Sequence, residues 1–352
     1  MNHANGKVDR EKFLMNLELL QPGLPPRESP EQSKSFVFSD GFISTFNEEV
    51  LCRCPSMLSK EIEGSIPSET FLNTLRKLPE KEITVEVNDS SLILKGSGRY
   101  SKIRMETEVK SAISDIEEPT EWKALANDFS EAVSTVHQCA GDDASQFVAT
   151  CVHIHPEWIE ASDRFQICRW PMETGLSKPT LVRKDSIKHV ANLGITEFAE
   201  TDSWLHFRNA NSLTMSCRRY MEDFPELTQF LNVKGDTVKL PKELALAADL
   251  AYTFSKDNPE SDRIQITLEP GWVKLVGTGI YGEHGERKRM NYEGKTINFL
   301  ISPKILSSIV KKFPEGIIGQ NQLRVNTEKY TFVACLFKSS PRKKRKEDSN
   351  GS

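Results

Sequence analysis

Residues 88–105 read NDSSLILKGSGRYSKIRM, and two later stretches repeat the pattern. Residues 201–217 read TDSWLHFRNANSLTMSC, and residues 320–336 read QNQLRVNTEKYTFVACL. Each stretch begins with a polar turn, enters a strand-like run with near period-two alternation, and passes through a second turn into another such run. The pattern therefore predicts three related strand pairs.

The three copies lie far apart along the chain. Aligned on the leucine after each polar turn, Leu92, Leu205 and Leu323 are 113 and 118 residues apart. Solenoid and propeller repeats are much shorter, about 20–50 residues, so each copy is expected to be a whole domain. We expect domains over 1–115, 116–232 and 233–338, followed by a basic, disordered tail over 339–352.

Helical segments accompany each strand pair. Just before the three pairs, the sequence predicts short helices in SETFLNTLRKLP (68–79), KDSIKHVANLG (184–194) and SPKILSSIVKKFP (302–314). Earlier in each domain it predicts helices in DREKFLMNLELL (9–20), PTEWKALANDFSEAVSTV (119–136) and PKELALAADLAYTF (241–254). Two helices and several antiparallel strands per domain predict the α+β fold class.

Composition narrows the class of protein. The 352 residues are 38% hydrophobic and 27% charged, as in ordinary globular proteins. No stretch reaches the roughly 20 apolar residues of a membrane helix, and MNHANGKVDREKF at the start lacks a secretory signal core, so a cytoplasmic protein is expected. Seven scattered cysteines suggest buried thiols. The net charge of −4 argues against coating nucleic acid by bulk charge, yet allows a local basic face.

Three stretches, in this order, resemble the bacterial β sliding clamp, the β subunit of DNA polymerase III. They are FLNTLRKLPEKEITVEVNDSSLILKGSGRY (71–100), EASDRFQICR (160–169) and EDFPELTQFL (222–231). The resemblance covers about residues 7–338 and is that of a divergent or phage-encoded member. It implies three tandem clamp-fold domains, each with two helices on curved antiparallel sheets. It also implies a head-to-tail homodimer that closes a six-domain ring around duplex DNA.

The function implied by the resemblance is mechanical. A DNA polymerase processivity factor encircles duplex DNA regardless of sequence and tethers the replicative DNA polymerase, after a clamp-loader ATPase has opened the ring. Such a protein is not an enzyme and has neither a catalytic residue nor a cofactor or metal.

The DNA contacts that the resemblance implies are basic residues on the inward helices, where a modest set attracts phosphates without gripping them. Arg27 is added because PGLPPRESP (22–30) is similar to the family's first-domain loop that carries a DNA-contacting arginine. Basic pairs recur 235 residues apart, at Arg76–Lys77 and Lys311–Lys312. The middle repeat lacks this basic pair at the end of its helix, and its positive charges lie earlier in the segment. The candidates are Arg27, Arg76, Lys77, Arg183, Lys184, Lys188, Lys304, Lys311 and Lys312. The alternative for any single member is a solvated helix face.

The resemblance also implies an apolar cleft for partner peptides between the second and third domains. By position it comprises Ser162, Asp163, Arg164, Phe165, Gln166, Ile167, Pro225, Gln229, Phe230, Val333, Cys335, Leu336 and Phe337. Arg164-Phe165 replaces the family's Gly-His, and Lys304 replaces its usual tyrosine on the third-domain helix. The chain also continues past the last strand, as CLFKSSPRKKRKEDSNGS. These departures predict an altered peptide preference; the alternative is that Phe165 and Phe337 are ordinary core or edge residues.

Ring closure is expected where the first domain meets the third domain of the partner protomer. The candidates are Arg99, Tyr100 and Lys102 on one side, and Thr253, Phe254, Glu283 and Glu286 on the other. Basic against acidic surfaces would fix the register.

Other functions compete with this one. CVHIH (151–155) places Cys151, His153 and His155 on one strand face with Glu157 nearby, which suits a metal-binding enzyme. GSGRYSK (96–102) lacks the spacing of a phosphate-binding loop. A trimeric clamp ring of the eukaryotic type is a further alternative, but it uses two domains per chain, and the three repeats in this chain argue against it. A clamp-like monomeric decoy or regulator of replication remains an alternative. The tail PRKKRK has the composition of a nuclear localisation signal, although a solvated basic appendage is favoured.

Overall fold

The computed structural model describes residues 4–25, 34–88, 90–106, 116–258, 262–313 and 315–338. The chain forms two compact units. The first comprises Met1–Ala161 and Pro171–Phe224, and the second comprises Ser162–Trp170 and Pro225–Ser352. Arg27 and the tail over 339–352 lie outside the described residues. The division into three domains stays a prediction.

Strands dominate the secondary structure. In chain order they are β1 (Ala4–Asp9), β2 (Ser35–Ser39), β3 (Phe42–Phe46), β4 (Val50–Pro55), β5 (Gly64–Pro67), β6 (Glu82–Asn88), β7 (Ser91–Gly96), β8 (Arg99–Arg104), β9 (Lys123–Ala124), β10 (Cys151–His155), β11 (Trp158–Ser162), β12 (Gln166–Pro171) and β13 (Thr180–Arg183). They continue as β14 (Ile195–Glu200), β15 (Trp204–Asn209), β16 (Thr214–Arg218), β17 (Asp236–Val238), β18 (Ile264–Glu269), β19 (Trp272–Gly279), β20 (Gly282–Arg289), β21 (Ile297–Ile301), β22 (Gly316–Ile318), β23 (Gln322–Asn326), β24 (Thr331–Cys335) and β25 (Phe337–Lys338).

Helices are short. They are α1 (Arg10–Leu19), α2 (Ser68–Lys77), α3 (Phe129–Val136), α4 (Lys184–Ile187), α5 (Thr228–Leu231), α6 (Leu244–Ser255) and α7 (Pro303–Lys312). Short 3-10 turns cover Gln21–Gly23, His137–Cys139, Phe147–Thr150 and Lys188–Asn192. Within the described residues, none of the helices combines the length and the apolar character needed to cross a membrane.

The first unit contains two complete antiparallel sheets. One has the strand order β1-β6-β7-β8, and the other the order β5-β2-β3-β4-β16-β15-β14-β9. Strands β13, β10 and β11 also pair in this order. Between α1, α2 and β2, Phe71 packs edge-on against Phe13 and Phe36, with ring centroids 5.7 and 6.2 Å apart. All three rings are fully buried, so this cluster is part of the hydrophobic core of the unit.

The second unit has the strand orders β12-β24-β23-β22-β17 and β20-β19-β18-β21-β25. Helices α6 and α7 pack on each other, and α6 lies against β19. This approach requires glycine, because a Cβ atom at Gly277 or Gly279 would overlap the carbonyl oxygens of Ala251 and Phe254.

The three repeated stretches form three hairpins, as the sequence predicts. They are β7–β8, β15–β16 and β23–β24, each antiparallel. The aligned residues Leu92, Leu205 and Leu323 lie on the first strand of each hairpin and are at most 1% exposed. The repeat is therefore a repeat of core-forming hairpins, and the fold is α+β.

Five of the six helical predictions are confirmed in position, and one is largely wrong. Over 119–136, only Phe129–Val136 is helical. Lys123–Ala124 instead forms a strand that pairs with β14, and the Trp122 ring packs 4.2 Å from the guanidinium of Arg208. Pairing with the edge of β14 and stacking on Arg208 outweigh the helix propensity of residues 119–128, because tertiary contacts override local preference. In the middle repeat, the expected helix is four residues of α-helix followed by a 3-10 turn.

Candidate functional site

Two phenylalanines and an arginine form the centre of the predicted peptide cleft, within the second unit. Phe165 precedes β12 and Phe337 begins β25, with ring centroids 5.9 Å apart. The guanidinium of Arg263 lies 3.4 Å from the Phe337 centroid and 5.6 Å from that of Phe165. The Phe165 carbonyl accepts a 2.7 Å hydrogen bond from the Cys335 amide. Phe165 is 45% exposed, so an aromatic surface beside a cation faces solvent.

The loop before β12 is held by one carboxylate. Asp163 accepts hydrogen bonds from the Phe165 amide at 2.8 Å and the Gln166 amide at 2.9 Å. Burial raises the pKa of Asp163, while these donors oppose the rise. Arg164 has a φ of 76°, in the left-handed region that favours glycine. Arg164 therefore occupies a backbone conformation that residues other than glycine seldom adopt.

The segment after Phe224 is anchored to β12 by Arg169. The Arg169 guanidinium donates to the Thr228 hydroxyl at 2.9 Å and lies 3.8 Å from the Glu226 carboxylate. Glu226 also accepts from the Thr228 amide at 2.7 Å. The hydroxyl and amide of Thr228 lower the pKa of Glu226. These contacts fix α5, which bears Phe230 with 41% of its surface exposed.

The predicted cleft residues divide by burial. Nine of them are exposed or partly exposed: Phe165, Phe230, Phe337, Pro225, Gln229, Arg164, Asp163, Gln166 and Cys335. Ser162, Ile167, Val333 and Leu336 are at most 9% exposed and support the cleft from beneath. Sequence reasoning missed Arg263 and Arg169. Arg169 ends the stretch EASDRFQICR that carries the resemblance, whereas Arg263 belongs to no recognisable motif. The partners of both arginines are distant along the chain.

Four of the eight described DNA-contact candidates form ion pairs with acids: Arg76, Lys184, Lys188 and Lys311. Arg76 on α2 lies 2.8 Å from Glu18 on α1, and Lys311 on α7 lies 3.5 Å from Asp249 on α6. Lys188 lies 2.6 Å from Asp185, and this lysine lowers the pKa of Asp185.

The remaining candidates differ in exposure. Lys184 pairs with Asp142 and donates to the Ala140 carbonyl, and its side chain is only 15% exposed. Arg183 lies 5.7 Å from the Phe147 ring, and Lys304 lies 5.4 Å from the Tyr252 ring. Lys77, Lys304 and Lys312 are exposed. The structure thus brings Arg76 with Lys77, and Lys304 with Lys311 and Lys312, onto common helices.

The predicted dimer contacts lie on an edge strand in each unit and, for Thr253 and Phe254, on α6 in the second unit. Among the described strands, β8 pairs only with β7, and β20 pairs only with β19. On β8, Tyr100 is 74% exposed, and Arg99 lies 3.0 Å from Glu80. Lys102 is also exposed.

The edge in the second unit has its own pairing. Glu286 on β20 lies 2.7 Å from Lys288 and 3.1 Å from His284, and the Lys288 hydrogen bond lowers its pKa. Phe254, at the end of α6, stacks on His284 with centroids 6.1 Å apart. Thr253 and Glu283 lie near these groups on α6 and β20.

The histidines of CVHIH are engaged in packing. His153 Nδ1 lies 2.8 Å from Glu160, and its ring stacks 4.7 Å from Phe224. His155 stacks 3.7 Å from Trp158. Within the described ranges, no group of three or more His, Cys, Asp or Glu side chains is arranged to hold a metal ion. These contacts favour a structural role, and the metal-enzyme alternative loses its support.

Known proteins match this chain in structure but not in sequence. No protein-family model matches the sequence, and no curated protein matches it. Solved structures do match along nearly the whole chain.

Three of them illustrate the match. The Pseudomonas aeruginosa DnaN sliding clamp bound to griselimycin has a TM-score of 0.81 at 13% identity, covering 96% of this chain and 100% of that one. The Thermotoga maritima DNA polymerase III β subunit has a TM-score of 0.81 at 16% identity, with the same coverage. The C. crescentus β sliding clamp has a TM-score of 0.80 at 13% identity, again with 96% and 100% covered. This chain therefore has the fold of the bacterial DNA polymerase III β sliding clamps, in a strongly diverged sequence.

Proposed function

We propose that this protein is a DNA polymerase processivity factor: a sliding clamp that encircles duplex DNA and tethers the replicative polymerase. The observation that carries the proposal is the match to clamp structures over 96% of this chain and 100% of theirs. It catalyses no reaction in this role. A clamp-loader ATPase would open the ring and place it on DNA.

Ring closure is proposed to join β8 of one protomer to β20 of the other, head to tail. In the part of the chain that the structure describes, each is the edge strand of its sheet, and edge strands are templates for pairing with another chain. Arg99, Tyr100 and Lys102 would face Thr253, Phe254, Glu283 and Glu286. Because Arg99 and Glu286 already have partners within the chain, the backbone ladder and apolar contacts would contribute more than these charges.

The DNA surface is proposed to be the set of helix pairs. A clamp must move along DNA, so each phosphate contact has to be weak. The ion pairs of Arg76 with Glu18, and of Lys311 with Asp249, satisfy this need. They leave the cations partly exposed, while an adjacent acid offsets much of their attraction for phosphate.

Partner recognition is proposed to occur at the cleft of Phe165, Phe230 and Phe337. An extended peptide would place apolar side chains on these rings, and its polar groups near Arg263. Exposed aromatics beside an arginine have the composition of interface hot spots. The P. aeruginosa clamp was solved with griselimycin bound, which is consistent with a ligand-binding surface on this fold.

A threading assay tests the proposal without a loader. The purified protein is incubated with linear duplex DNA biotinylated at both ends, and the ends are then blocked with streptavidin. After a wash in high salt, a ring stays on blocked DNA and is lost from DNA with one open end. Since salt removes purely electrostatic binding, equal loss from both DNAs would refute encirclement.

A further inference from the structure

A cavity of about 300 Å³ lies in the first unit, whereas the proposed peptide cleft belongs to the second. Its walls come from β3, β4, β15 and β16 and from residues 116–122. They include Phe42, Arg53, Glu118, Trp122 and Arg208. The buried His206 forms part of the floor, and burial lowers its pKa to about 4, so the floor is uncharged near neutral pH. The volume is at the small end of ligand pockets and suits one or two side chains.

The surroundings of this cavity repeat those of the cleft in the second unit. Arg53 on β4 faces Thr214 on β16, just as Arg169 on β12 faces Thr331 on β24. The sequences around the two arginines are CRCP (52–55) and CRWP (168–171). The parallel covers the strand pairs on which both sites are built.

The linking segments repeat as well. Arg53 lies 3.2 Å from Glu118, and Arg169 lies 3.8 Å from Glu226. Four residues after each glutamate comes an aromatic residue, Trp122 in one case and Phe230 in the other. Each site thus has a strand arginine that anchors a linking segment and an aromatic side chain supplied by that segment.

The chemistry of the cavity selects its ligand. The Arg53 guanidinium lies 3.9 Å from the Phe42 centroid, and that of Arg208 lies 4.2 Å from the Trp122 centroid. Guanidinium planes held in this way stack on aromatic rings and bind carboxylates through two parallel hydrogen bonds.

The carboxylate that now pairs with Arg53 is easily exchanged. The Glu118 side chain is 84% exposed, so its ion pair with Arg53 contributes little. An incoming carboxylate inside the cavity would be less exposed to water than Glu118, and its ion pair with Arg53 would therefore be stronger. Arg208 is held by Glu197 at 2.8 Å, and the Glu117 carboxylate is engaged by the Ser203 amide at 3.3 Å, which leaves Arg53 as the cation that an incoming carboxylate would meet.

We infer that this cavity is a second docking site, which takes a short peptide carrying an aromatic side chain next to an acidic one. The peptide class rests on the proposed function of the cleft in the second unit; the cavity and its ligand chemistry do not. A clamp protomer of this kind would hold two partner segments at two sites built on one plan.

The test uses the full-length protein labelled with 5-fluorotryptophan. The chain has five tryptophans, and the Trp122→Phe variant assigns the Trp122 signal in the ¹⁹F NMR spectrum. The probe is the dipeptide acetyl-Asp-Phe-amide. We expect a saturable shift of the Trp122 signal, and about tenfold weaker binding of acetyl-Asn-Phe-amide, which lacks the charge-assisted hydrogen bonds.

Matched variants locate the effect. Arg53→Gln is expected to abolish the preference for the acidic dipeptide, whereas Arg169→Gln, at the equivalent place in the second unit, leaves it intact. A Trp122 signal that does not move, or one that responds equally to both dipeptides in the unsubstituted protein, would overturn the second site. The clamp proposal fails separately, by loss of retention on end-blocked DNA, since that assay does not depend on this cavity.

Discussion

At the scale of single residues, burial decides the charge of His206. Its side chain is 3% exposed, Nδ1 lies 2.7 Å from the Ser216 hydroxyl, and Nε2 lies 3.1 Å from the Thr201 hydroxyl. Desolvation lowers its pKa from the ordinary 6.5 to about 4, although the nearby Glu117 acts in the opposite direction. The folded protein therefore holds this imidazole neutral.

This pKa predicts a pH dependence of stability. Between pH 6.5 and 4 the unfolded chain binds a proton at His206 that the folded chain does not. The contribution of the neutral His206 to the unfolding free energy is complete above about pH 6.5. It is lost as the pH falls towards 4, at up to about 1.4 kcal/mol per pH unit. Chemical denaturation from pH 8 to 4 should therefore show a shallower loss of unfolding free energy for His206→Gln. Parallel curves would contradict this assignment.

Phe165 is predicted to contribute to binding and little to stability. Because 45% of its surface is exposed, Phe165→Ala should change the unfolding free energy by only about 0.5 kcal/mol. Loss of a central aromatic should nevertheless weaken peptide binding by tenfold or more. Fluorescence anisotropy with overlapping peptides of the host replicative polymerase measures the effect. Leu246→Ala, an exposed apolar truncation on α6, is the control, and unchanged binding by Phe165→Ala would exclude the cleft.

Sequence reasoning at this scale found side chains next to a motif and missed those brought in from elsewhere. Phe165 and Phe337 could be placed by resemblance, and they do meet in the structure. Arg263 could not, because its position over both rings depends on the pairing of β18 and β25 with β21. The acids beside Arg76 and Lys311 lie 58 and 62 residues away along the chain, so no local pattern reveals them.

At the scale of elements, the outer edge of β8 carries the proposed dimer contact. In its hairpin with β7, Gly96 faces Arg99 across a two-residue turn, and Ile93 faces Lys102. Antiparallel geometry then directs the backbone N–H groups of residues 100, 102 and 104 away from β7. These groups are available to a strand of the partner protomer.

A proline on this edge should therefore weaken the dimer. Lys102→Pro removes an outward donor and leaves the β7–β8 ladder in place, since proline is tolerated at sheet edges. We expect about a tenfold or larger rise in the dimer dissociation constant by sedimentation velocity. Lys102→Ala, which removes the charge but keeps the donor, should behave nearly as the parent. If both variants weaken the dimer equally, the side chain and not the strand edge makes the contact.

The acids on the helix pairs should limit DNA affinity. The double variant Glu18→Gln, Asp249→Asn releases Arg76 and Lys311. Each further phosphate that these cations neutralise should steepen the dependence of log affinity on log salt by about 0.9. Binding of short duplexes, titrated from low to moderate salt, measures this slope. Glu69→Gln on α2, which also removes one negative charge from these helices, is the control, and an unchanged slope in the double variant would remove these helices from the DNA surface.

Helices were predictable where an amphipathic pattern coincided with a clear boundary. Asp9 accepts from the Lys12 amide at 3.0 Å at the start of α1, and Pro303 occupies the first turn of α7. The failure over 119–128 has a physical cause. The conformation of residues 119–128 is determined by pairing with β14 and by the stacking of Trp122 on Arg208. Neither contact can be predicted from local hydrophobic periodicity.

At the scale of the whole molecule, the repeat was the strongest signal in the sequence. Spacings near 115 residues excluded short-repeat architectures, and the buried leucines of three hairpins explain why the pattern persists. Family-level sequence similarity has otherwise faded, since identities to matching structures are 13–16%. Close packing constrains where large apolar side chains can lie, so core hairpins can recur where little sequence similarity is left.

The measurement that tests the central claim most directly is negative-stain electron microscopy of the purified protein at micromolar concentration. The account predicts class averages of a closed ring with six lobes and an open centre wide enough for duplex DNA. Compact particles of one chain at every concentration, with and without DNA, would contradict it. They would point instead to the monomeric decoy or regulator.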